Sequence, residues 1–133
     1  MMEWMITVRT AAHSDMDDAK GFIRKLFPKA MVSVSDDDLI ILAEYNNRIV
    51  GFAHMIDDGD RMILQGLGVD GEARGRGVGT LLLTHILNTI EEDIPVMLKV
   101  KVMNPAVDLY ARHGFFVKRS NDHTLTLVRK PNA

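Results

Sequence analysis

The sequence predicts a single α/β domain with a mixed sheet, in the order β-α-β-β-β-α-β-α-β-β. A chain of 133 residues is long enough for one hydrophobic core and too short for two. Strand and helix patterns alternate along it without a linker rich enough to divide domains. A glycine-rich turn over residues 70–79 joins an apolar strand to a helix with an apolar stripe. We therefore expect one domain over residues 1–133, with helices on both faces of the sheet.

The first half of the chain predicts one helix and four strands. Residues 4–10 alternate as a strand, and Ser14 then caps a helix that Pro28 ends. Turns at 46–47 and 57–60 make the following strands antiparallel. These three strands are expected at residues 39–45, 49–56 and 62–69.

The second half predicts two helices and three strands. Apolar residues at helical spacing indicate a helix over residues 78–92. Residues 95–102 are a strand whose nearly continuous apolar centre favours burial on both faces. Asn104 before Pro105 indicates the N-cap of a short helix that Gly114 ends. The last two strands, expected at 115–119 and 124–129, form a hairpin.

The glycine-rich turn has a geometry suited to phosphate groups. Gly75, Gly77 and Gly79 alternate, which leaves backbone without side chains where the chain bends and an anion approaches. The first amides of the next helix lack intrahelical partners, and the helix dipole adds partial positive charge. Arg74 and Arg76 add full charges beside the turn. A turn with two solvated arginines and no ligand is the alternative.

Two familiar phosphate-binding loops do not match this turn. A dinucleotide fingerprint requires a third glycine where Thr80 and Leu81 begin the helix. A Walker A loop requires a Gly-Lys pair followed by a hydroxyl residue, and the sequence contains none. Nucleotide hydrolysis is therefore not expected, and a phosphate loop for some other nucleotide is kept as an alternative.

Two segments together carry a recognisable pattern. Residues 74–79 read Arg-Gly-Arg-Gly-Val-Gly after a strand, and residues 104–115 contain an Asn, an Ala, a Tyr and a Gly-Phe pair. Both resemble the GNAT superfamily of acyl-CoA-dependent N-acetyltransferases, whose main signature is Arg/Gln-x-x-Gly-x-Gly/Ala. The two motifs occur in the family's order and at about its spacing. Compared with that family, residues 29–38 form an abbreviated segment without the usual second helix.

The resemblance implies acetyl-CoA as the acyl donor and a place for it. Strands 63–69 and 96–102 would run parallel and splay apart at their C-terminal ends, which makes a slot for the pantetheine arm. Gly66 and Gly68 indicate a bulge or a close backbone approach in that slot, and a bulge without a ligand is the alternative. The implied cofactor-binding residues are Leu67, Gly68, Val69, Arg74, Gly75, Arg76, Gly77, Val78, Gly79, Thr80 and Asn104.

Transfer of an acetyl group from a thioester to an amine requires an oxyanion donor, a partner for the departing thiolate and a base. A backbone N–H at Leu67 or Gly68 is the candidate donor. The resemblance gives Tyr110 the thiolate role, and a core tyrosine on a helical stripe is the alternative. Some relatives carry a glutamate base where this chain has Ile63. The candidates that remain for the base are His54, Glu44, His85 and Gln65 acting through an ordered water.

We therefore expect an N-acetyltransferase that works by direct transfer in a ternary complex. The sequence has no cysteine, which excludes an acyl-cysteine intermediate. The acceptor is expected to be a small-molecule amine or a peptide N-terminus, and a homodimer is left open. A catalytically silent acyl-CoA sensor or interaction module of the same fold is the alternative.

Composition and charge argue against other classes of partner. With 47% apolar residues, 26% charged residues and a net charge of −2, the chain has no electrostatic footprint for nucleic acid. No basic leader with an apolar core and no apolar run near ~18 residues is present, so we expect neither signal peptide nor membrane span, and a cytoplasmic location. The five histidines show no metal-binding spacing, so no metal is expected.

Overall fold

The computed structural model describes residues 4–30, 33–91 and 93–131 and shows one mixed sheet of seven strands, in the order β1-β2-β3-β4-β5-β7-β6. The element order predicted from the sequence is confirmed, with two additional short 3-10 turns at His13–Asp15 and Gly71–Ala73. The strands are β1 (Thr7–Thr10), β2 (Leu39–Tyr45), β3 (Arg48–Asp57), β4 (Met62–Val69), β5 (Val96–Lys101), β6 (Phe115–Ser120) and β7 (Thr124–Arg129). The helices are α1 (Met16–Leu26), α2 (Val78–Thr89) and α3 (Ala106–Arg112).

The helices lie on both faces of the sheet, as expected. Strand β2 shows the division, because successive residues of a strand point to opposite faces. Ile40 and Leu42 pack in one cluster with α1, whereas Ile41 and Ala43 pack in another with α2. Helix α3 joins the second cluster through Tyr110. We call the two sides the α1 face and the α2 face.

Several predicted boundaries were wrong, and three of them have an identifiable cause. Strand β1 begins at Thr7 and not at residue 4, because Trp4 leaves the sheet and stacks on Tyr45 with ring centroids 4.1 Å apart. Ser14 is not the cap of α1, since it lies inside the 3-10 turn that precedes the helix. Helix α2 ends at Thr89, where the chain becomes extended at the β-branched Ile90. Residue 92, its predicted end, lies outside the described residues.

The prediction that β5 is buried on both faces was wrong. Val96, Leu98 and Val100 are buried on the α2 face, while Lys99 and Lys101 are exposed. The apolar residues at the centre of the strand therefore alternate with charged ones toward its C-terminal end. The two lysines point to the α1 face, where they border a cavity. This strand consequently supplies core on one side and charge on the other.

The end of α1 approaches the sheet closely at Gly68 of β4. A Cβ atom at this position would lie 2.6 Å from Leu26, 2.7 Å from Phe27 and 2.8 Å from Phe52. We expect Gly68→Ala to lower the free energy of unfolding by about 1–3 kcal/mol, because the added methyl group would overpack this site. Urea unfolding measures this effect.

A matched control is available on α1 itself. Gly21 is exposed and a Cβ there would meet nothing within 4 Å, so Gly21→Ala should raise the free energy of unfolding by up to about 1 kcal/mol. An unchanged urea midpoint for Gly68→Ala would contradict the close approach.

Candidate functional site

Strands β4 and β5 separate soon after they meet. Their parallel pairing consists of Met62 with Val96 and Ile63 with Met97. Beyond these pairs both strands continue without pairing to each other, toward Val69 and Lys101. The splayed parallel strands implied by the family resemblance are therefore present. They open a gap through the sheet at their C-terminal ends.

A β-bulge changes the register of β4 where the gap begins. Met55 of β3 pairs with Leu64, but the preceding His54 pairs with Gly66. Gln65 is therefore the extra residue on β4, which is the defining feature of a β-bulge. The expectation that Gly66 marks a bulge is confirmed, and Gln65 is turned toward the neighbouring cavity.

The register after the bulge decides which backbone groups face the gap. The N–H of Asp70 donates to the carbonyl of Val50 in β3, at 2.8 Å. Backbone direction alternates along a strand, so Gly68, paired with Phe52, also directs its N–H toward β3. The N–H of Leu67 then points away from β3, into the gap. Of the two amides predicted as oxyanion donors, the one at Leu67 faces the open space.

The glycine-rich turn ends in a helix N-terminus with free donors. Gly75 and Gly77 have φ values of +76° and +79°, a left-handed conformation that favours glycine. Gly77 is the N-cap of α2 and has no side-chain cap. Among the described residues, no protein acceptor receives a hydrogen bond from the amides of Val78, Gly79 or Thr80. These three N–H groups are available to an anion.

A cavity of about 280 Å³ lies directly over these amides, between the turn and α3. It brings together most of the residues predicted for phosphate binding. The predicted residues that line it are Val69, Arg74, Gly75, Gly77, Val78, Gly79 and Thr80. On the α3 side, Arg112 also lines this cavity and was missed by the sequence analysis. Its position in the sequence, two residues after Tyr110, did not indicate a phosphate contact. Arg112 reaches this cavity only because α3 packs beside the turn.

The two arginines of the turn have different surroundings. Arg74 lines the small cavity, and its Nε donates to the carbonyl of Val69 at 3.3 Å. Arg76 lies outside the lining, with its guanidinium 4.0 Å from the centre of the Trp4 ring and its Nε bonded to the Glu72 carbonyl. This cation–π contact places the Arg76 guanidinium on the Trp4 ring, outside the lining of the small cavity. Arg74 and Arg112 are thus the arginines that border the predicted phosphate site.

A larger cavity of about 670 Å³ occupies the gap and extends along the α1 face. It is bounded by β4, β5 and the end of α1. Its polar or charged lining residues are Lys29, His54, Gln65, Lys99, Lys101, Asn104 and Tyr110, and Leu67 is also part of its wall. Gly68, a predicted cofactor contact, lines neither cavity.

Tyr110 combines a packed ring with a free hydroxyl. The side chain is 6% exposed and meets Phe115 edge to face, with ring centroids 5.7 Å apart. Among the described residues, its hydroxyl has no hydrogen-bond partner. Burial raises the pKa of Tyr110 from 10 to about 12, so the phenol stays protonated at physiological pH. The structure therefore presents a neutral O–H donor to the larger cavity.

His54 is the one buried polar residue among the described core residues, at 1% exposure. Its Nε2 lies 2.8 Å from Oδ2 of Asp38, a carboxylate that is 12% exposed. The same carboxylate oxygen accepts a hydrogen bond from the amide of Ser35, which holds it in place. Among the described residues Nδ1 has no hydrogen-bond partner, and His54 lines the larger cavity.

The other three candidates for the base have different positions. Gln65 lines the larger cavity with His54. Glu44 lies outside it and forms an ion pair with Arg9 at 2.6 Å. His85 on α2 lines neither cavity. Of the titratable candidates, only His54 faces the space where a substrate fits.

Asn104 caps α3, as the sequence indicated. Its Oδ1 accepts a hydrogen bond from the amide of Ala106 at 2.9 Å, and Pro105 already has helical φ and ψ. Gly114 ends the helix with φ of +88°. Asn104 also lines the larger cavity. Its side-chain oxygen is thus engaged in the cap at the edge of the site.

No group of three or more His, Asp or Glu side chains within residues 4–30, 33–91 and 93–131 could hold a metal ion. Within the same ranges, none of the helices combines the length and apolar character needed to cross a bilayer.

Solved acetyltransferase structures share this fold. The ribosomal-protein-S18-alanine N-acetyltransferase from Escherichia coli aligns with a TM-score of 0.76 at 19% identity, over 97% of this chain and 96% of that one. The PaiA N-acetyltransferase from Thermoplasma acidophilum, in complex with coenzyme A, aligns with 0.74 at 15% identity, over 95% and 99%. Arabidopsis thaliana Naa50, in complex with the bisubstrate analogue CoA-Ac-MVNAL, aligns with 0.73 at 18% identity, over 94% and 98%.

The sequence comparison defines the family. Residues 36–117 match the family model described as acetyltransferase (GNAT) domain. The chain belongs to the GNAT acetyltransferase family, as the two motifs indicated. A comparison with curated proteins gave no significant match.

Proposed function

We propose that this protein is an acetyl-CoA-dependent N-acetyltransferase that transfers the acetyl group directly to a primary amine in a ternary complex. The observation that carries the proposal is the pairing of two features in one fold. Free amides at the start of α2 line one cavity, and the gap between the splayed strands β4 and β5 opens a second cavity that Tyr110 lines.

The donor end of the site suits the diphosphate of coenzyme A. The amides of Val78, Gly79 and Thr80 would donate to phosphate oxygens, and Arg74 and Arg112 would supply the opposite charge. The backbone of Leu67 would then pair with the pantetheine arm in place of the missing strand contact. The same Leu67 amide would stabilise negative charge on the thioester oxygen.

We propose His54 as the base that deprotonates the amine. The Asp38 carboxylate can only accept a hydrogen bond, so it favours the tautomer with a proton on Nε2. Nδ1 then carries the lone pair and faces the cavity. A neutral imidazole oriented by a buried carboxylate is the arrangement that makes histidine a base in other acyl-transfer enzymes. Asp38 acts as a positioning residue.

Tyr110 would stabilise the departing thiolate. With its pKa near 12 against about 8.5 for a thiol, full proton transfer from the phenol alone would be uphill by roughly 5 kcal/mol. The hydroxyl therefore acts first as a hydrogen-bond donor. As the C–S bond breaks, it passes its proton to the thiolate and takes up a proton from the amine nitrogen. Over the reaction the ammonium loses two protons. One passes through His54 to water and the other ends on the sulfur of coenzyme A.

The acceptor is proposed to be a small-molecule amine or a peptide N-terminus. The names of two neighbours, an S18-alanine N-acetyltransferase and a complex with CoA-Ac-MVNAL, support the peptide alternative through fold similarity alone. A homodimer and a cytoplasmic location stay predictions.

Calorimetric titration tests the donor site. We expect coenzyme A to bind and ATP or NAD to compete poorly, because the turn lacks the features of both nucleotide loops. Arg112→Met should weaken coenzyme A binding about tenfold, as expected for loss of one charge-assisted contact. Arg119→Met on β6, outside both cavities, is the matched control and should leave the Kd unchanged.

Turnover tests the reaction itself. Free thiol should appear from acetyl-CoA only when a primary amine is added, and mass spectrometry should show the acetylated amine. Binding of coenzyme A without acceptor-dependent release across a broad amine panel would favour the silent sensor. Equal competition by ATP or NAD would favour a phosphate loop for another nucleotide.

A further inference from the structure

The larger cavity carries positive charge without a counter-charge in its wall. Lys29, Lys99 and Lys101 line it, and no aspartate or glutamate is among its lining residues. In the part of the chain that the structure describes, none of these three lysines forms a salt bridge. The wall therefore has a formal charge of +3 with His54 neutral.

These three lysines lie together on the α1 face. Lys99 and Lys101 are two residues apart on one side of β5, so their Cα atoms are separated by roughly 6.5 Å. Lys29 follows the end of α1, whose side chains at Leu26 and Phe27 cover Gly68 on the same face. His54 points to this face too, because it alternates with Ala53 and Met55 of the α2 cluster. The lysines thus border the side of the gap from which the proposed base is reached.

The phosphates of the donor do not account for this charge. The free amides, Arg74 and Arg112 line the separate smaller cavity, and none of the three lysines does. The thioester and pantetheine that would occupy the gap are uncharged. A second, negatively charged group would complement the lysines, and the acceptor is the other molecule of a ternary complex.

We infer that the acceptor is a small primary amine that also carries an anionic group, a carboxylate or a phosphate. This inference rests on the proposed function. The lysines would bind the anionic group while its amine reaches Nδ1 of His54. A cavity of about 670 Å³ is within the usual range of roughly 300–1,000 Å³ for small-molecule sites. Polyamines and other multiply charged cations should be poor acceptors, because the same lysines repel them.

Acceptor pairs in which one member carries an additional anionic group test the inference. The pairs are 4-aminobutyrate with 4-aminobutanamide, aspartate with asparagine, and phosphoethanolamine with ethanolamine. Thiol release gives kcat/KM for each, compared at equal concentrations of the neutral amine. The lysines are exposed, so each contact is individually weak and the advantage depends on several lysines acting together. We therefore expect an advantage of 10-fold or more for the anionic member of at least one pair, mainly in KM.

Variants assign that advantage to the lysines. In the double variant Lys99→Met/Lys101→Met the advantage should fall toward one, and 0.5 M NaCl should reduce it in the wild type. Lys118→Met on β6, an exposed lysine outside both cavities, is the matched control and should keep the advantage. Circular dichroism and coenzyme A affinity confirm that the double variant is folded.

The outcomes separate this inference from the function on which it rests. A preference in the aspartate or aminobutyrate pair supports a carboxylate, and one in the phosphoethanolamine pair supports a phosphate. Equal rates within all pairs, a preference for spermidine, or faster acetylation of peptide N-termini than of any small anionic amine would overturn the inference and leave the acetyltransferase standing. Coenzyme A binding without thiol release for any amine would overturn the proposed function.

Discussion

Tyr110→Phe should lower kcat by on the order of 10²-fold while leaving the affinity for coenzyme A within about twofold of wild type. The loss follows because the departing thiolate would no longer receive a hydrogen bond. Stability should change by less than about 0.5 kcal/mol, since the hydroxyl forms no hydrogen bond with any described residue and the ring keeps its contact with Phe115. Steady-state kinetics with thiol detection, calorimetry and urea unfolding measure the three quantities.

Tyr45→Phe is the matched control, because Tyr45 stacks on Trp4 outside both cavities. Its kcat should equal that of wild type. Because the pKa of Tyr110 is raised to about 12, the phenol stays neutral through pH 10, and ionisation of this group should cause no fall in kcat below that pH. A Tyr110→Phe enzyme with the wild-type rate would remove the tyrosine from the mechanism.

His54→Gln should lower kcat/KM at pH 7 by on the order of 10²-fold or more, because the amine would have no base. Glutamine keeps an N–H donor for Asp38, so the half-buried carboxylate retains a side-chain partner. With increasing pH the variant should keep gaining rate toward the amine's own pKa near 10, since only amine that is already neutral can react. The wild type should reach its plateau at lower pH. The pH profiles of kcat/KM show this difference.

Two further variants define the role of the pair. Asp38→Asn should also lower kcat/KM, but by less than His54→Gln does, and should change the pH profile, because His54 would lose its charged partner. His85→Gln on α2 alters a histidine outside both cavities and should have no effect. If His54→Gln keeps activity within twofold of wild type at pH 7, the assignment of His54 as the base is contradicted. Gln65 acting through an ordered water would then be the remaining candidate for the base in this cavity.

Local pattern was sufficient for most of the fold. Strands β2, β4 and β7 have the predicted bounds, because each is a short run of alternating or apolar residues between clear turn signals. The errors occur where a tertiary contact outweighs local preference. Trp4 leaves β1 to stack on Tyr45, and β5 exposes Lys99 to a cavity that no local pattern reveals.

The candidate site divides in a similar way. Residues 74–80 could be assigned from the sequence because a phosphate-binding turn and the helix it begins are contiguous in the chain. Arg112, the Asp38 partner of His54 and the three lining lysines could not, because they meet the turn or the gap only when separate elements pack together. Arg76, also predicted from its place beside the glycines, lies outside the lining of the small cavity, with its guanidinium over the Trp4 ring.

The amino-acid sequence by itself determined the element order, the family and the glycine-rich turn before α2, because these depend on residues close together in the chain. The tertiary structure decided which candidate residues line the cavities. Among the candidates for the base, His54 lines the larger cavity and Glu44 and His85 do not; likewise the Leu67 amide, and not that of Gly68, points into the gap. These directions depend on strand register and on the splay of β4 from β5. Register and splay arise from pairing between distant segments, which a linear pattern does not encode.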